Sequence, residues 1–284
     1  MNLSRPAADV YAPDGTPPDR ALARTTHLCV AAHQDDIEIM AQAGIDECYG
    51  AADRFFTGVV VTNGAGSPRT GPYASRSDPE MQALRREEQR RAAALGRYNL
   101  QLQLAHPSAD LKAVGAAGVA ADLGAIFGGC APAVVYLHNP ADKHDTHIAV
   151  FLRCLEALRA LPRGRRPRLV LGCEVWRALD WLIEEDKVAL DAGRRPKLAE
   201  ELLLAFDSQI TGGKRYDLAA LGRRTANATF HLPRRADAMQ AITWAMDLTP
   251  LVADEALSVT AFTLAYLERL RADVAARLAK FGAG

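Results

Sequence analysis

Two short stretches of this 284-residue chain concentrate residues able to bind a metal ion and move protons. The first is Ala32-His33-Gln34-Asp35-Asp36-Ile37-Glu38, and the second runs from His138 through Asn139, Pro140, Asp142, His144 and Asp145 to His147. Each offers a pair of donors three residues apart, His33 with Asp36 and His144 with His147. At a strand-to-helix turn that spacing lets two side chains converge on one point. Three nitrogen and oxygen donors with a fourth position open are the pattern of a catalytic zinc site rather than a structural one. Asp35 and His144 are left over, beside donors without having to be donors. A metal-bound water, a carboxylate to take its proton and an imidazole to stabilise charge are the working parts of an amide hydrolase.

Singly, these residues have plainer uses. Asp35-Asp36 suits a helix N-cap with favourable dipole charge, and a lone histidine is more often a surface or core residue than a ligand. The chemical reading rests on the pair of stretches together, because both directly follow predicted strands and their residue types complete one another.

The elements that must position them alternate. Apolar runs at His27–Ala32, Phe55–Thr62, Tyr98–Ala105, Ala133–His138 and Arg168–Gly172 predict strands. Helical patterns fall at Glu38–Tyr49, Pro79–Leu95 (stopping at Gly96), Asp110–Phe127 and His147–Leu161. Further helices are expected at Lys197–Ser208, Ala238–Met246 and Asp254–Phe281. Strands alternating with helices predict an α/β domain, a mostly parallel sheet with helices on both faces, whose ligands lie at the carboxyl ends of the strands. One domain over residues 25–284 is expected. Residues 1–24, polar and carrying Pro6, Pro13, Pro17 and Pro18, are expected to form an extended arm.

Lys+Arg and Asp+Glu both total 34, so the basic excess of a nucleic-acid binder is missing. Hydrophobic residues make up 49%, enough for a sizeable core, yet no uninterrupted apolar run suits a membrane span. The five cysteines are scattered and never spaced C-x-x-C, which reads as buried reduced thiols. The N-terminus has no apolar secretory segment, and together these features predict a cytoplasmic protein. Lys214-Arg215 and Arg223-Arg224 read as solvated basic runs, and Trp176, Trp181 and Trp244 as core or pocket walls, with core for at least two.

The two stretches resemble the signatures of the PIG-L/LmbE-like deacetylases, which remove N-acetyl groups from glucosamine-type substrates. That family's Ala-His-Pro-Asp-Asp-x-Glu after the first strand is matched by Ala32-His33-Gln34-Asp35-Asp36-Ile37-Glu38, and its later pair of histidines three residues apart by His144-Asp145-Thr146-His147. Fainter echoes are Thr62-Asn63-Gly64, the Arg/Glu-rich helix ending Leu95-Gly96, and Ser208-Gln209. The resemblance implies a Rossmann-like fold and a Zn2+ or other first-row divalent ion on His33, Asp36 and His147. It also implies Asp35 as general base, with His144 stabilising the oxyanion and protonating the leaving amine. The implied activity is removal of an N-acyl group from a small N-acetylated sugar or glycoconjugate. Gln34 stands in place of the usual Pro, and Thr146 in place of an Asp that orients the first histidine, a task then left to Asp142 or Asp145.

The loop from Asn63 to Asp78 should overhang the metal, with Arg69, Asn63 and Tyr73 as expected substrate contacts. The competing readings are a metal-dependent phosphoesterase and a non-catalytic sugar- or partner-binding relative. Neither a nucleic-acid nor a membrane partner is expected, and a homo-oligomer is possible.

Overall fold

The computed structural model describes residues 1–113 and 115–282. Eight strands form one sheet: β1 (Asp9–Tyr11), β2 (His27–Ala31), β3 (Phe56–Thr62), β4 (Leu100–His106), β5 (Val134–His138), β6 (Leu169–Cys173), β7 (Val188–Asp191) and β8 (Ile242–Asp247). Their spatial order is β1-β4-β3-β2-β5-β6-β8-β7. From β4 through β3, β2 and β5 to β6 all pairings are parallel, while β1 and β8 run antiparallel to their neighbours. This is a Rossmann-like, mostly parallel sheet. The chain leaves β2 toward β3 and β4 on one side and later returns to β5 and β6 on the other. The carboxyl ends of β2 and β5 are therefore the switch point at which such sheets open a crevice.

Alternation along the strands builds two cores. Leu28 and Val30 of β2 pack in one cluster with Leu102, Leu123 and Phe151, under the helices Ala117–Gly129 and Asp145–Arg159. Cys29 and Ala31 face the other cluster with Ile37, Ala92 and Leu202, from the helices Asp36–Met40, Asp78–Leu95 and Pro196–Leu204. All five cysteines are buried free thiols. Among the described residues no helix is long and apolar enough to cross a membrane.

Four expectations need correction. Residues 1–24 are not a free arm: β1 adds an edge strand to β4, and Ala21 and Leu22 of the helix Pro18–Ala23 enter the core. Ala238–Met246 is not helical, because Ile242–Asp247 is β8, wedged between β6 and β7 and buried over Ile242–Met246. A short apolar run buried on both faces carries no periodicity to separate strand from helix. Glu38–Tyr49 is two helices, Asp36–Met40 and Gln42–Cys48, broken at Ala41. The helix expected over Asp110–Phe127 is likewise two, Ser108–Lys112 and Ala117–Gly129. Within it Val114 lies outside the described residues, as do Ala283 and Gly284 at the end of the expected domain. β7 and the helix Tyr216–Phe230 were not foreseen.

Candidate active site

Beyond Ala31 the chain leaves the sheet in a tight turn. Asp35 adopts a φ of 87°, the left-handed region that Asp tolerates better than most side chains, and Asp36 opens the next helix. The turn folds back on itself: the His33 main-chain N–H donates to Asp36 Oδ2 at 2.8 Å, and His33 Nδ1 lies 3.2 Å from the same oxygen. Beside it, after β5, His144 is the N-cap of the helix Asp145–Arg159 and His147 is in its first turn. The pairing of β2 with β5 brings the two turns together. His147 Nε2 ends 3.2 Å from His33 Nδ1 and 3.3 Å from Asp36 Oδ2.

These three atoms form a nearly equilateral triangle, and a tetrahedral ion with bonds of about 2.0–2.1 Å holds its ligand atoms about 3.3 Å apart. Two imidazole nitrogens and a carboxylate oxygen so close together need a shared cation or proton to be satisfied. The residues present therefore fit a divalent ion. Two other histidines lie near enough to be considered as donors. His138 Nε2 already accepts the Ala32 N–H at 2.9 Å, and its ring stacks on His147 with centroids 3.9 Å apart. His144 Nδ1 accepts the Thr146 N–H at 3.2 Å, so its proton sits on Nε2.

Electrostatics separate the two aspartates. Burial pushes Asp35 well above the usual carboxylate range, against the pull of the Arg85 guanidinium 3.8 Å away. Burial would raise Asp36 too, but His147 and His33 hold it well below that range. Burial, with His33 and His147 nearby, lowers the His144 imidazole to about 4 and leaves it neutral at pH 7.

His33, Asp35, Asp36 and His144 all border one cavity of about 590 Å³. Its other walls include Thr62, Gly64, Pro68, Trp176, Gln209 and Tyr216. The loop after β3 does overhang the site, as expected, but through Gly64, Gly66, Ser67 and Pro68. Arg69, Asn63 and Tyr73 do not reach the cavity. Arg69 donates to the Ala65 and Arg76 carbonyls and to Asp78, bracing its own loop. Asn63 accepts the Ala65 N–H, and the Tyr73 hydroxyl donates to Asp207. Asp142 meets His144 through the main chain, its Oδ1 accepting the His144 N–H at 3.0 Å, while its Oδ2 lies 3.5 Å from Nδ1 of the His147 ring; Asp145 is exposed.

Arg85 and Tyr216 were missed as cavity residues, and Trp176 is the tryptophan that forms a pocket wall. Arg85 is 1% exposed and donates to the Gln34 carbonyl beside Asp35. The Ser208-Gln209 echo has a physical basis, since Ser208 donates its N–H and hydroxyl to Glu88, both at 2.7 Å, and sets Gln209 in the wall.

A parallel sheet carrying a His-Asp-His cluster at its switch point has known relatives. The family model described as PIG-L: GlcNAc-PI de-N-acetylase matches residues 28–158, just under half of the chain and including both clusters. Residues 28–158 thus match a PIG-L family domain. A search of curated protein sequences found no match. Among solved structures, the chain is similar to N,N'-diacetylchitobiose deacetylase from Pyrococcus horikoshii, with TM-score 0.61, 17% identity, and 81% of this chain and 86% of that one covered. It is also similar to 4-carboxy-2-hydroxymuconate hydratase from Pseudomonas putida KT2440, with TM-score 0.56, 17% identity, and 79% and 96% covered. A third is the zinc-inhibited form of teicoplanin deacetylase, with TM-score 0.54, 16% identity, and 78% and 97% covered. At such identities the likeness is one of fold.

Proposed function

We propose that this protein is a metal-dependent N-deacetylase acting on an N-acetylated amino sugar or its conjugate, with His33, Asp36 and His147 holding the ion. The observation that carries the reading is the triangle of donor atoms with Asp35 and His144 on the same cavity. A divalent ion in that triangle supplies positive charge to polarise the amide carbonyl and acidify a water molecule.

Asp35 takes the proton from the attacking water as the oxygen–carbon bond forms. Arg85 and the strained turn hold its carboxylate at the cavity floor. His144 points its Nε2–H toward the developing oxyanion, the role of a fixed donor. As the carbon–nitrogen bond breaks, the Asp35 carboxyl returns its proton to the amine. In the expectation from sequence that last duty fell to His144. Its Nδ1 is committed to the Thr146 N–H, so the ring carries a single proton and suits donation of a hydrogen bond better than transfer. Binding alone requires neither group, which disfavours a non-catalytic module.

The test is acetate release from a panel of N-acetylated sugars and glycoconjugates by purified protein loaded in turn with zinc and other first-row divalent ions. Release that a chelator abolishes and the ion restores is expected. A fully loaded protein inert across the panel would overturn the proposal.

A further inference from the structure

We infer that the mouth of this cavity recognises an anionic group, a carboxylate or a phosphate, through Lys214 and Arg223. The inference rests on reading the cavity as the substrate site and names a substrate class within it. The residues concerned lie beyond 28–158, outside the matched family segment.

On the helix Tyr216–Phe230, the residues Tyr216, Ala219, Ala220 and Arg223 all border the cavity. Their spacing of three, four and seven is one helical face. The two alanines leave room between an aromatic ring and a guanidinium, and Lys214 borders the cavity just before this helix. Both doubled basic runs, expected to be solvated, are split by function. Arg215 is spent on Asp217, with contacts of 2.9 and 2.7 Å, and buried Arg224 donates to the Glu38 and Ile39 carbonyls. Lys214 and Arg223 remain, and among the described residues neither forms an ion pair.

They are nonetheless held in place. The Lys214 ammonium sits 4.4 Å over the Trp176 ring, and Arg223 donates to the carbonyl of Val175. Trp176 in turn lies 5.9 Å from the His144 ring, so this wall adjoins the reacting end. The cavity's own acids are committed elsewhere, Asp35 beside Arg85 and Asp36 among the histidines. Two cations without a salt-bridge partner on the wall of a cleft focus a positive potential into it, and an arginine fork matches carboxylate or phosphate oxygens.

The experiment is calorimetric titration of the metal-loaded Asp35→Asn protein, which separates binding from turnover. The ligands are N-acetylglucosamine, N-acetylglucosamine 6-phosphate and N-acetylmuramic acid. At least one charged ligand is expected to bind about tenfold or more tighter than the neutral sugar, the scale of one charge-assisted hydrogen bond. The advantage should shrink with added salt, and comparing the two charged ligands separates phosphate from carboxylate. Adding Lys214→Ala and Arg223→Ala should reduce the charged-to-neutral ratio, while Lys214→Arg alone should keep it. Equal affinities for all three ligands, or a ratio unmoved by the double variant, would overturn the inference. If the wild-type protein released no acetate from any substrate while this binding pattern held, the hydrolytic reading would fall and anion recognition would stand.

Discussion

Asp142 places Oδ2 3.5 Å from Nδ1 of His147, while Nε2 of the same ring faces Asp36 at 3.3 Å. A carboxylate behind an imidazole holds the proton on the far nitrogen and leaves the near lone pair aimed at an ion. The other oxygen of Asp142 accepts the main-chain N–H of His144 at 3.0 Å, so one side chain sets both histidines of the second cluster. Asp142→Asn should weaken metal affinity by about 10–100-fold, read by competition with a chromogenic chelator. Wild-type affinity would remove Asp142 from this role.

Removing a corner of the donor triangle should have a larger effect. His33→Ala and His147→Ala are each expected to purify without stoichiometric metal and without activity, while keeping wild-type circular dichroism. Elemental analysis decides the matter: full occupancy in either variant would refute the ligand assignment.

Asp35→Asn and His144→Ala should behave differently, keeping the ion and losing turnover. Asn tolerates the left-handed backbone of residue 35 nearly as well as Asp, so the turn should survive. Loss of the base should lower kcat by about 10²–10⁴-fold, and loss of the His144 donor by about 10²–10³-fold. Near wild-type kcat in metal-replete Asp35→Asn would exclude the mechanism proposed above.

Ser208→Ala tests the tie between distant helices. Glu88 would lose a hydroxyl donor to its buried carboxylate, a cost of about 1–3 kcal/mol. The melting temperature should fall, and KM should rise because Gln209 borders the cavity. A wild-type melting temperature would show that the Glu88 contact adds nothing to stability.

Arg69 has three acceptors within its own loop, so its removal should loosen the segment rather than delete a substrate contact. Arg69→Ala is expected to speed proteolytic cleavage between residues 63 and 78, with at most a small rise in KM. A large rise in KM with unchanged cleavage would restore the original expectation of direct contact.

Much of the site could be read from local order. The donor pairs His33/Asp36 and His144/His147 are set by a three-residue spacing at strand ends, and covalent neighbours largely dictate geometry over that distance. Strands β2 to β6 were legible for a related reason: each is an apolar run beside a turn signal, and parallel strands are buried on both faces. The same property hid β8, since Ile242–Met246 is uniformly buried and uniform burial has no period.

Partnership across the chain is what only the tertiary structure decided. His33 and His147 are 114 residues apart, and their contact exists because β2 pairs with β5. Which histidine ring Asp142 faces depends on the path of a loop, and nothing in the residues flanking Asp142 specifies it. Nothing in the sequence sets Lys214 and Arg223 apart from their basic neighbours Arg215 and Arg224. Arg215 borders the same cavity as Lys214 but is paired with Asp217, and Arg224 is consumed by main-chain carbonyls, which leaves Lys214 and Arg223. A charged side chain is long and flexible, so its role follows from which acceptors the fold brings within reach.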